Sequence, residues 1–211
     1  MKRLLPLQDE NPHEVLNGFR LTTANTKISD SGDGDSGVFV KVSVGTITDD
    51  PVSFVDSPIM TNATAAKHLG INQYPQTALA VAKAEAGDLV LGITLRQTAL
   101  QDENGMPLNY YREKLKDIGA VLSGQSVPVA KRGMYTLSYR AFGTGAVSTY
   151  VPSPGQALVI GATAGCATGI DYNDAVSGHY QIVGTVLATG LIDGTPADAF
   201  EGAYAVINLA C

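Results

Sequence analysis

Val38-Phe39-Val40-Lys41-Val42-Ser43-Val44 decides the fold class. Valine recurs at every second position, and a period of two belongs to a strand whose successive side chains point to opposite faces. β-Branched residues also suit a pleated surface. Just before it, Ser29-Asp30-Ser31-Gly32-Asp33-Gly34-Asp35-Ser36-Gly37 is a loop by composition. Residues 1–36 carry few periodic apolar positions and read as an extended N-terminal arm, leaving 37–211 as a single β-domain.

Downstream, Val52-Ser53-Phe54-Val55 lies between Pro51 and Pro58 and reads as a short edge strand. Ala63 to Leu69 reads as one or two helical turns closed by Gly70. Ala78-Leu79-Ala80-Val81-Ala82 leads through a turn into Gly87 to Leu95, which reads as another strand. Asp102-Glu103-Asn104-Gly105 contains Asn-Gly, a turn signal. Tyr111, Leu115 and Ile118 then fall at helical spacing, which predicts one short helical insert over about 109–119. Strand patterns return at 127–129, 134–139, 157–160, 181–187 and 203–209. Ser123-Gly124-Gln125 and Pro154-Gly155-Gln156 echo each other, each a turn whose glycine opens a strand. Short strands about ten residues apart, punctuated by Gly and Pro, mean an all-β fold, a small β-barrel or β-sandwich. The βαβ alternation of a parallel nucleotide-binding sheet is not visible.

Composition narrows the function. Of 211 residues, 45% are apolar and 16% charged, with 23 glycines, three histidines, two cysteines and no tryptophan. A net charge of −6 argues against nucleic acid, whose phosphates demand a surplus of lysine and arginine. Met1-Lys2-Arg3-Leu4-Leu5-Pro6 imitates the basic start of a signal peptide, but the apolar stretch stops at Leu7, so no export segment is expected. Apolar runs fall short of the ~20 residues of a membrane helix, so no membrane partner is expected and synthesis and assembly are placed in a cytoplasm. Cys166 and Cys211 are too few for a disulfide framework or a thiolate metal cage and read as reduced thiols.

Chemistry-bearing motifs are sparse. Asp30, Asp33 and Asp35 with interleaved glycines can be read as a calcium loop or as a solvated acidic turn. The EF-hand order fails, because the position for the bidentate glutamate is Val44, and the acidic turn is the preferred reading. His13, His68 and His179 sit in unrelated contexts, and Cys166 has no nucleophile signature around it. The glycine-rich Gly143-Thr144-Gly145 and Gly161-Ala162-Thr163-Ala164-Gly165 lack the lysine of a phosphate loop and read as tight turns. No catalytic residue and no cofactor is therefore assigned. Lys131-Arg132-Gly133 is a lone basic pair that reads as a solvated turn and can instead meet an acidic partner surface.

Three segments carry a family likeness: Ala86 to Leu95, Ala120 to Leu137, and Pro154 through Ala162-Thr163-Ala164-Gly165 to Leu187. Together they show turn, strand, small-residue turn and a strand beginning Val-Gly. In that order they resemble the head decoration (cement) proteins of tailed bacteriophages over roughly residues 80–211. The resemblance implies a structural virion protein on the capsid exterior. It would bridge neighbouring subunits of the major capsid protein, commonly as a homotrimer, with neither cofactor nor catalysis. Leu4, Leu5, Leu7, Phe19 and Leu21 would then let the N-terminal segment order on the capsid or on a neighbouring subunit. A tail or fibre component, binding glycans, is the alternative.

Overall fold

In the computed structural model, which describes residues 4–9, 14–30, 32–44, 79–110, 112–143, 151–192 and 202–211, the valine stretch lies in a closed barrel. The strands are β1 (Leu4–Asp9), β2 (Val15–Leu21), β3 (Asn25–Lys27), β4 (Phe39–Val44), β5 (Ala80–Lys83), β6 (Gly92–Thr94) and β7 (Gln97–Gln101). They continue as β8 (Ala120–Leu122), β9 (Ser126–Ala130), β10 (Arg132–Ser138), β11 (Ala157–Ile160), β12 (Ala167–Ile170), β13 (Gly184–Ile192) and β14 (Gly202–Ala210). Two short helices, α1 (Arg112–Asp117) and α2 (Tyr172–Ser177), accompany them. The protein is all-β, as its period-two segments predict.

The barrel order is β2-β5-β4-β6-β9, closed by antiparallel pairing of β2 with β9, and β2 with β5 is its parallel pair. A six-stranded antiparallel sheet, β1-β10-β14-β13-β11-β12, packs beside it, and β3-β7-β8 form a small parallel sheet. Alternation makes β4 serve two cores. Val38 and Val40 turn toward Leu21, Val81, Val127 and Val129 inside the barrel. Phe39 points the opposite way, into the larger core shared with Tyr135, Leu137, Leu158, Ile207 and Leu209 of the six-stranded sheet. Each such large side chain, fully buried, contributes about 1.5–3 kcal/mol. On the sheet's other side α2 sets Ala175 against Ala157 and Val159, which is why all four residues of β11 are buried.

Only Lys131 separates β9 from β10, so a nearly continuous strand passes from barrel to sheet. β2 and β1 follow it antiparallel, with Val15 opposite Ala130 and Asp9 opposite Met134. The extended arm over 1–36 is therefore corrected: within it, Leu4–Asp9, Val15–Leu21 and Asn25–Lys27 are strands of the three sheets. The sequence hides β2 because its register shifts between Leu16 and Phe19, and an inserted residue breaks the period of two.

The two echoing turns are alike. Gly124 and Gly155 have φ of 89° and 87°, and Gln125 and Gln156 donate to the carbonyls three residues back. They differ in placement, since one opens a barrel strand and the other a sheet strand. The helical insert is shorter than 109–119: a 3-10 turn at Leu108–Tyr110 precedes α1, and Gly119 at φ 62° follows it. The expected strand at 52–55 and helical turns at 63–69 lie outside the described residues.

Candidate functional site

The acidic loop is an internal staple. Asp35 is 1% exposed; its Oδ1 accepts from Asn25 Nδ2 at 2.7 Å and its Oδ2 from Gly32 N–H at 3.3 Å. Asn25 Nδ2 also donates to the Asp30 carbonyl, and Gly34 N–H donates to Asn25 Oδ1 at 3.0 Å. Asp30 Oδ2 accepts from Lys27 N–H at 2.8 Å, and Asp33 pairs with Lys83 at 2.9 Å. Each of the three carboxylates thus already accepts from a protein donor. Among the described residues no group of three His, Cys, Asp or Glu is placed to hold a metal ion. Glycine is required at 34, because a Cβ there would lie 2.5 Å from both Asn25 N and the Thr98 carbonyl.

The predicted contact residues separate. Leu21 is 3% exposed inside the barrel, so it offers no free surface, and Phe19, partly buried, packs against the same cluster. That corrects the reading of Leu21 as an arm contact, and barrel closure is the cause. Leu4, Leu5 and Leu7 lie on β1 at one edge of the six-stranded sheet. Lys131 and Arg132 stand at the crossing from barrel to sheet. Lys131 N–H donates to the Glu14 carbonyl, and the Lys131 carbonyl accepts from Cys211 N–H. The Arg132 guanidinium remains exposed, 4.0 Å from Glu14.

The surface that sequence reading passed over surrounds a cleft of about 170 Å³ lined by Asp88, Leu89, Val159, His179, Tyr180 and Gln181, among others. One wall is the turn from Glu85 to Asp88, with Gly87 at φ 91° and the Asp88 N–H donating to the Glu85 carbonyl. Asp88 Oδ2 accepts from Glu85 N–H at 2.7 Å and from Lys41 Nζ at 2.6 Å. The Lys41 hydrogen bond, then the Glu85 amide, holds the Asp88 carboxyl below its ordinary range. The other wall is the end of α2, where Tyr180 N–H donates to the Ala175 carbonyl and His179 adopts φ 55°. The Gln181 carboxamide ties the walls together through Val90.

Of the cleft's lining residues, Leu89 is 81% exposed and Tyr180 is also exposed; on α2, which ends at the cleft, Tyr172 is 64% exposed and Val176 is exposed as well. Tyr172 and Val176 stand four residues apart on α2, one above the other. The signal for this helix was Asp171 ahead of Tyr172, Ala175 and Val176, but six residues are too few for periodicity to declare it. Of the histidines, His13 and His68 lie outside the described residues. Cys166 and Cys211 are both free thiols; burial pushes the Cys211 thiol up to about 12. No helix among the described residues is long and apolar enough to cross a membrane. Comparison with protein-family models, curated proteins and solved structures finds no match.

Proposed function

We propose that this chain is a structural virion protein that binds the outer surface of a phage capsid and bridges neighbouring capsid subunits, as a homotrimer and without cofactor or catalysis. The observation that carries the reading is the order of the three segments that resemble head decoration proteins. They form β6 with its preceding turn, then β8 to β10, then β11 to β13, and contribute to one shared core. A closed barrel locked to a sheet through a nearly continuous strand suits a protein that must keep its shape on a lattice. An acidic net charge of −6 suits a surface facing solvent rather than packaged nucleic acid.

Co-sedimentation with undecorated, expanded capsids of the phage that encodes it tests the proposal, together with its mass in solution. Saturable binding by a trimer that survives dilution is the expected result. A persistent monomer that leaves capsids bare overturns it. Glycan-array binding without capsid affinity would instead assign the chain to a tail or fibre.

A further inference from the structure

We infer that the face formed by α2 and the Glu85–Val90 turn docks on the capsid, against a surface that presents apolar side chains among cationic ones. This rests on the proposed function and adds which side of the molecule performs it. A short surface helix ordinarily turns polar residues outward. α2 buries only Ala175 and exposes Tyr172 and Val176, while exposed Tyr180, just past its end, shares the cleft with exposed Leu89. Single exposed apolar residues are ordinary, but several on two elements that meet at one cleft mark an interaction surface.

The group is held in place before any partner arrives. Gln181 clamps Val90, and Tyr180 is anchored to the Ala175 carbonyl. The Tyr180 ring also lies so close over Gly178 that a Cβ there would sit 2.4 Å from it. Preorganisation of this kind lowers the entropy cost of binding.

Charge selects the partner. The segments 85–90 and 171–181 contain Glu85, Asp88, Asp171 and Asp174 and no lysine or arginine. Lys41 reaches in from β4, but it is paired with Asp88. Glu85, Asp171 and Asp174 are exposed, which gives both elements an acidic rim beside their apolar side chains. A second copy presenting the same face would set like charges against each other, so two-fold self-association through it is disfavoured. A surface with lysine or arginine around apolar pockets complements it.

Two double variants and one control test the assignment by co-sedimentation with undecorated capsids at low and high salt. Thermal melting verifies folding. Leu89→Ser with Val176→Ser removes exposed apolar surface and is expected to weaken binding by about tenfold or more. Glu85→Lys with Asp174→Lys reverses the rim and is expected to weaken binding comparably while removing the salt sensitivity shown by the wild type. Leu191→Ser, at a residue 68% exposed on β13, is expected to bind like the wild type. Folded face variants that bind as tightly as the wild type overturn the assignment and leave the proposed function intact. A wild type that never sediments with capsids overturns both.

Discussion

The Gln181 carboxamide makes both hydrogen bonds to the backbone of Val90: Val90 N–H donates to Oε1 at 2.6 Å, and Nε2 donates to the Val90 carbonyl at 3.2 Å. A side chain here imitates one residue of an antiparallel strand and fastens the turn before β6 to the segment before β13. Val90 is buried, so its amide has no water to fall back on. Gln181→Leu should cost about 1–3 kcal/mol in urea unfolding, with the m value unchanged. Gln181→Glu should recover only part of that loss, because a carboxylate accepts from Val90 N–H but cannot donate to its carbonyl.

Gly92 sits where β6 meets β9. A Cβ would fall 2.0 Å from the Ala130 carbonyl oxygen, and backbone cannot yield as a side chain can. Gly92→Ala is expected to destabilise by about 3 kcal/mol or more, or to prevent cooperative folding. Gly18→Ala is the contrast: a Cβ there meets nothing within 4 Å, so its melting temperature should stay at or above that of the wild type.

Asn25 is 6% exposed and makes three hydrogen bonds, to Asp35, the Asp30 carbonyl and Gly34 N–H. Asn25→Ala should cost about 2–3 kcal/mol, since it also deprives a buried carboxylate of a donor. Millimolar calcium should leave the melting temperature of the wild type unchanged, because the loop carboxylates already accept from protein groups. A calcium-dependent rise would show that the acidic turn binds the ion after all.

Asp102, Glu103 and Lys114 form the described ion-pair network of the α1 region, with Lys114 Nζ 2.8 Å from both carboxylates. The Lys114 hydrogen bond, followed by the Met106 amide, holds the Asp102 carboxyl below its ordinary 3.8. Its proton is therefore bound more weakly in the folded chain than in the unfolded one. The resulting stability is present above 3.8 and is lost as pH falls through the lower folded value. Lys114→Met should flatten this acid loss without abolishing it, because the Met106 and Asn104 amides still donate to Asp102. Denaturant midpoints measured across the acid range check the slope.

Burial holds the Cys211 thiol at about 12, and Cys166 is 3% exposed with its Sγ 3.7 Å from the Arg140 carbonyl. Reaction needs thiolate and access. Ellman's reagent at pH 8 should leave both thiols largely unmodified in the native protein and titrate both after unfolding in guanidinium.

Much of the architecture was legible one strand at a time. Val38 to Val44, the two glycine-opened turns and the Asn104-Gly105 turn, closed by Gly105 N–H on the Asp102 carbonyl, all follow from local pattern. β2 was not legible, because its bulge breaks the alternation, and β3 was too short at three residues. The exposed face escaped for another reason. Leu89 reads as part of a strand over Gly87 to Leu95, of which only Gly92–Thr94 is one, and Tyr180 follows a six-residue helix. Their adjacency depends on a Gln181–Val90 bond across 91 residues.

By itself, then, the sequence determined the all-β class, the glycine turns and the acidic, weakly charged character, because these rest on periods and conformations set within a few residues. Tertiary structure alone decided that Val15–Leu21 closes a barrel, that Lys131 and Arg132 mark the crossing to the sheet, and that Asp35 faces Asn25 instead of solvent. Each of those depends on which distant strands pair. Pairing is selected by the summed burial of side chains such as Phe39 and Leu137, which lie far apart in the chain and meet only in the folded core.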